Sequence, residues 1–194
     1  MIGTGFKPNT DFLNIEAAKI NLDERQYVKV YEYLETSNPH IWAIGDVVGK
    51  QQITHMALRE SKIVLNNIFS DNKRRVQFED IPFAVFTEPI IGSVGKTEEQ
   101  LKKSGISYKI SQTELPRCSR GYIMGLKRGY VKILHNQKEI FGCHIIGEDA
   151  DNLIHEIVPL IGQFNGWEIF LNTIYAHPTL SEIFTRLPPE SKVL

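Results

Sequence analysis

Close to the C-terminus, Tyr175–Glu182 reads YAHPTLSE. Histidine is the one side chain whose ordinary pKa lies near neutrality, so His177 could take up and return a proton. Pro178 fixes the backbone beside it, and Glu182 follows at a spacing that lets its carboxylate fold back on the ring. On that reading Glu182 holds the imidazole in one tautomer and leaves the other nitrogen for proton transfer. The same letters also spell a capping box, Thr179-x-x-Glu182, in which the carboxylate serves backbone N–H groups and His177 is incidental. Spacing alone leaves both open.

A second constellation is AIGDV, Ala43–Val47. An acid placed directly after an apolar run and a glycine suits the carboxyl end of a strand, where open α/β sheets bind ligands. Gly45 allows close approach, and Asp46 can accept bonds from ribose-like or ribityl hydroxyls. The plain alternative is a turn in which Asp46 caps local N–H groups. A helix starting near Thr54 would point its positive end at an electron-rich group.

Other chemistries find little support. His135, His144, His155 and His177 have no partner at metal-ligand spacing, and Cys118 and Cys143 stand far apart, so no zinc site is expected. There is no G-x-S-x-G and no phosphate loop. A net charge of -1 gives no general attraction for nucleic acid or an anionic membrane. Lys73-Arg74-Arg75 reads as a solvated loop, and no apolar run is long enough to span a bilayer. Two separated cysteines and no signal-peptide pattern fit a reduced, cytoplasmic protein.

The elements that must position these residues read as α+β. Strands are expected at Tyr27–Leu34 and His40–Ile44, and a helix at Thr54–Phe69 with Thr54 as its N-cap. In that helix Ala57, Ser61, Val64 and Ile68 form the inner face, with Arg59, Glu60 and Lys62 mostly outside. Asp71–Asp80 is polar and marks a boundary. Beyond it, strands are expected at 83–86, 108–115, 121–126, 130–134 and 140–146, the last two as a hairpin. Helices are expected at 97–104 with a Thr97/Gln100 capping box, at 149–164 bent by Pro159, at 167–172, and at 179–187 ended by Pro188-Pro189. Residues 1–10 look like a strand end and a turn. The abrupt start suggests that Met1 opens a fragment of a longer design.

Six segments in this order carry a resemblance: GFKPNT, YLETSNPHIWAIGDV, THMALRES, IPFAVFTEPIIGSVGKTEEQL, EIFGCHIIGEDADNLIHEI and AHPTLSE. The chain resembles the C-terminal portion of a class I pyridine nucleotide-disulfide oxidoreductase, and HPTLSE is most similar to the active-site sequence of the dihydrolipoamide dehydrogenases. Glutathione reductases usually carry Ser where Leu180 stands, and mercuric reductases usually lack the histidine. The resemblance implies homodimeric flavoenzymes that pass electrons between NAD(P)H, FAD and a disulfide. It implies that Asp46, approached past Gly45, binds the FAD ribityl chain. Thr54, His55, Met56 and Ala57 would form the helix start beside the flavin's pyrimidine edge. His177 would be the acid–base group, serving the other subunit, and Glu182 its orienting partner. A cis His177–Pro178 bond is also implied.

Phe6 and Ile90 depart from the family's usual Arg and Glu. The family's G-x-G-x-x-G, its C-x-x-x-x-C disulfide and its NAD(P)H fold lie outside these segments. The resemblance therefore implies residues 1–72 as a remnant of the FAD and NAD-binding domains and 73–194 as an antiparallel interface domain that forms a homodimer. It implies a chain that binds neither cofactor tightly by itself and is inactive alone, with a partner chain supplying the rest as one possibility. A non-catalytic dimerisation module is the other reading.

Overall fold

The computed structural model describes residues 2–78 and 80–188; the expected Pro189 stop lies outside them. The chain divides into two compact units, Met1–Gln77 and Phe78–Leu194.

The first unit has one long element, helix α1 (Thr54–Phe69). The strands expected at 27–34 and 40–44 do not form, and residues 2–10 adopt no regular structure. Isolated bridges replace them, Leu22 with Val28 and Glu35 with Trp42. Left-handed residues at Gln26 (φ 69°) and Leu34 (φ 72°) break the extended run before a ladder can build. The β-like alternation instead buries Tyr27, Val28 and Leu34 one by one. Trp42 is half-buried, and its indole N–H meets no acceptor among the described residues.

Thr54 is the first helical residue rather than the cap, which falls to Ile53 with no side-chain bond. The inner face also differs from expectation. Met56, Glu60 and Asn67 are buried, whereas Ser61 and Ile68 are exposed. Polar residues lie inside because the loops offer them backbone partners. Asn67 accepts the Arg74 N–H at 2.7 Å and donates to the Arg74 carbonyl at 2.9 Å and the Tyr33 carbonyl at 3.3 Å. A buried amide so engaged avoids the cost of an unsatisfied polar group. Lys73–Arg75 is the exposed loop expected, with its backbone tied to α1 through Arg74. Lys73 pairs with Glu35 and Arg75 with Glu32, each at 2.8 Å.

The second unit is a five-stranded antiparallel sheet with helices. Its strands are β1 (Phe83–Val85), β2 (Ile91–Gly95), β3 (Lys109–Glu114), β4 (Tyr130–His135) and β5 (Ile140–Ile146), in the order β1-β2-β5-β4-β3. The β4–β5 hairpin pairs Ile133 with Cys143 and Val131 with Ile145. Alternation sends these four to one face, onto Leu153, Ile154, Ile157, Trp167, Phe170, Ile183 and Phe184. Leu134 faces the other way, with Ile110 and Leu101. Leu101 belongs to α2 (Glu98–Lys103), capped by the expected Thr97/Gln100 box. Lys132 of β4 reaches Glu98 of α2 at 2.7 Å.

Three expectations in this unit change. Residues 121–126 are not a strand: Ser119–Ile123 forms the short helix α3, started by the Cys118 sulfur, which accepts the Gly121 N–H. The long helix at 149–164 breaks into α4 (Ala150–Leu153) and two 3-10 turns, Ile154–Glu156 and Val158–Leu160. Pro159 lacks the N–H that a continuous helix needs, and opens the second turn instead. The last helix is 3-10, Leu180–Arg186. Before it, α5 (Gly166–Asn172) places Trp167 over His135, rings 3.6 Å apart and nearly parallel.

Candidate functional site

The His177 turn is assembled from short-range bonds on a packed base. Leu180, Ile183 and Phe184 are buried and anchor the 3-10 helix. Phe184 meets Phe170 edge-on and Tyr175 at a tilt, each with ring centroids 5.8 Å apart. Burial, with the Glu156 charge, pushes the Tyr175 hydroxyl up to about 12. Ser181 donates to Glu156 at 3.1 Å, and Thr179 donates its hydroxyl to the Ala176 carbonyl at 2.7 Å. The His177–Pro178 bond is cis, as the resemblance implied.

On this base Glu182 makes both bonds between which the sequence could not choose. Oε1 lies 2.9 Å from His177 Nδ1, and Oε2 accepts the Thr179 N–H at 3.0 Å. A carboxylate has two oxygens, so orienting the ring and capping the turn are one arrangement. The His177 bond, and after it the Thr179 N–H, hold the Glu182 carboxyl below the usual carboxylate range. The Glu182 side chain is 16% exposed and the imidazole 67%. A carboxylate only accepts, so Nδ1 carries the proton and Nε2 of the neutral ring is the acceptor. Among the described residues nothing engages Nε2. The turn thus presents a base of fixed tautomer to solvent.

The other constellation lies in the first unit and is distinct in design. Gly45–Val48 is a 3-10 turn closed by the Gly49 N–H on the Asp46 carbonyl. Gly45 takes φ +72°, and a Cβ there would sit 3.2 Å from the Ala57 Cβ. Its N–H donates to Glu60 Oε2 at 2.6 Å. Burial pushes the Glu60 carboxyl up, against the Gly45 N–H and the Lys50 charge. Asp46 is exposed, and among the described residues its carboxylate accepts no bond, so it does not cap the turn. Thr54 and His55 stand exposed in the first turn of α1, Ala57 is half-buried and Met56 is fully buried. The sequence reading missed Glu60 and Glu156. Each acts across a long sequence separation, and no local pattern marks it.

Comparison with known proteins places this geometry in a class. The family model described as pyridine nucleotide-disulphide oxidoreductase, dimerisation domain, matches residues 81–188, and one described as pyridine nucleotide-disulphide oxidoreductase matches residues 1–61. A soluble pyridine nucleotide transhydrogenase from Vibrio atlanticus is 34% identical over 189 residues, 95% of this chain and 41% of the relative. One from Escherichia coli is 33% identical over the same span. The HOCl-induced flavoprotein disulfide reductase RclA from Escherichia coli superposes with a TM-score of 0.86 at 29% identity, over 96% of this chain and 43% of that one. LpdA from Mycobacterium tuberculosis, TM-score 0.84 at 22% identity over 92% and 39%, shares the fold.

The chain belongs to the pyridine nucleotide-disulphide oxidoreductase family, and its second unit is the family's dimerisation domain. It spans about two fifths of the length of the curated relatives it matches. Among the described residues no helix is long and apolar enough to cross a membrane.

Proposed function

We propose that this chain supplies the acid–base histidine and the dimer contact of an FAD-dependent, NAD(P)-linked disulfide oxidoreductase of the dihydrolipoamide dehydrogenase type. The observation that carries the reading is the Glu182–His177 bond at 2.9 Å, which leaves Nε2 as an exposed acceptor. In the oxidative direction Nε2 takes the proton of a substrate thiol, and the resulting thiolate is the nucleophile. Glu182 stabilises the imidazolium so formed. In the reverse direction the imidazolium returns the proton to the departing thiolate. His177 would serve the site of the second subunit.

The residues of the first unit fit a flavin. Asp46 offers an exposed carboxylate, unused among the described residues, to hydroxyl donors, and Gly45 before it takes a left-handed φ of +72° that a larger residue would strain. The N-terminus of α1, at Thr54 and His55, has no side-chain cap and favours negative charge. Bound there, FAD would supply the two-electron relay between disulfide and nicotinamide. These contacts alone are too few to hold it tightly, so activity requires a further segment or partner chain carrying the remaining flavin contacts and the redox disulfide. Two buried free cysteines fit the cytoplasm.

The second unit exposes Tyr122 (81%), Phe86 (79%), Phe164 (72%) and Ile174 (95%). An apolar surface of this kind suits a two-fold self-contact. Sedimentation at micromolar concentration should give twice the chain mass; a monomer would overturn the dimer.

A second reading is hydride exchange between two nicotinamides, favoured by 34% identity to proteins named transhydrogenases. Hydride exchange moves no thiol proton, so it has no need of His177. Both rates should be measured on the assembled flavoprotein with Glu182→Gln. A fall in dithiol turnover with normal flavin content supports the first reading. Unchanged dithiol turnover, or hydride exchange without dithiol turnover in the parent protein, overturns it.

A further inference from the structure

Glu60 stands out because it breaks the pattern of its helix. A carboxylate at 2% exposure, in the second turn of α1, gives up its hydration for a place in the protein interior. The group that it meets is the N–H of Gly45 at 2.6 Å. That is just under the usual range for an N–H bonded to a charged acceptor. Ala57, one turn earlier on the same helix face, stands where a side chain at position 45 would have to go. The glycine is therefore tied to α1 by the bond at Glu60, and any larger residue at its position would crowd Ala57. The next residue is Asp46, exposed and with no bond to its carboxylate among the described residues.

We propose that Glu60 is a positioning residue: its buried carboxylate pins the Gly45 N–H to α1 and so sets where Asp46 presents its own carboxylate to a ribityl or ribose hydroxyl. This rests on the flavin reading above for its ligand, but not for the pin itself. The geometry explains why an acid is buried on a helix face beside Met56. A backbone N–H turned inward by a left-handed glycine needs an acceptor, and the adjoining helix carries one. The charge comes with the acceptor. Lys50, on the same loop, is the charged group that lowers the Glu60 carboxyl.

Two measurements test the pin and its use. In this chain, the Gly45 amide proton should resonate far downfield and move with pH above the ordinary glutamate range. In Glu60→Leu it should shift upfield and exchange at least about tenfold faster, as a local opening no longer held. If Glu60→Leu does not fold, Glu60→Gln decides: it keeps an acceptor oxygen, so the bond persists, but the pH dependence must vanish. An unchanged Gly45 amide in both variants overturns the proposal. In the assembled flavoprotein, Glu60→Leu should weaken FAD binding by about tenfold or more, the scale of one buried bond lost, and Glu60→Gln by about threefold or less. Parental affinity in Glu60→Leu, with its Gly45 amide shifted, would overturn the positioning role. Failure of the parent flavoprotein to take FAD would sink the proposed function, while the amide measurement would still decide the pin.

Discussion

The two units solve the same problem, holding a polar side chain in place, by opposite means. In the second, the His177 turn rests on an apolar base, and every bond that aims the ring spans five residues or fewer. In the first, the Asp46 turn is held by a buried polar group, Glu60, whose partner Gly45 lies 15 residues away, and the same helix buries Asn67, one of whose partners, Tyr33, lies 34 residues away. A packed apolar base tolerates local error because dispersion is spread over many contacts. A polar pin is concentrated in one or two bonds, and losing one strands its partner. Precision therefore comes from packing in one half and from satisfaction of buried donors in the other.

The largest effect should come from the aimed ring. In the assembled flavoprotein His177→Gln should lower dithiol turnover by roughly 10²–10⁴, the range for one general acid–base group, with flavin content unchanged. Wild-type turnover across the pH range would remove the role of His177.

Next is the base itself. Ile133→Ala deletes a fully buried side chain and should cost about 2–5 kcal/mol, read as a lower denaturant midpoint. Gly92→Ala is close behind: its Cβ would sit 2.2 Å from the Ala150 carbonyl, so β2 and α4 must move apart at about 1–3 kcal/mol. If either variant loosened only the first unit, the contrast between the halves would fail.

Asn67→Ala tests the polar side of the contrast. It strands the Arg74 N–H and two carbonyls, and should cost about 1–3 kcal/mol, confined to the first unit by amide exchange. A cost spread evenly over both units would argue against separate designs.

The smallest effect is a pH response. The folded-state pKa of Glu182 is depressed, so its contribution is present above the unfolded value, about 4.3, and disappears as pH falls through the lower folded value. The Thr179 amide should exchange more readily as the pH passes below that range. Loosening on the alkaline side would reverse the sign and exclude Glu182 as its source.

The sequence displayed the second unit better than the first, for the same physical reason. The β4–β5 hairpin and the α2 cap are written in local periodicity and local capping letters. The His177 turn was visible because its partners are near neighbours. Strand β2 escaped notice because Gly92, Ser93 and Gly95 give it little strand propensity; it exists because β1 and β5 pair with it on either side. In the first unit, alternation at Tyr27–Leu34 looked like a strand, yet no ladder forms there among the described residues. Glu60 was assigned to the outside because nothing local says that a glycine N–H will arrive from 15 residues upstream.

The chain has two tryptophans, and the fold gives each unit one of them. Trp42 is half-buried, with an indole N–H that meets no acceptor among the described residues, whereas Trp167 lies stacked on the His135 ring. Their emission is therefore an optical label already sorted by unit. With Trp42 replaced by Phe, fluorescence follows the sheet alone; with Trp167 replaced, it follows the loops and α1 alone. Two coincident melting curves would describe one cooperative body, and two separated curves would describe halves that lose their order independently.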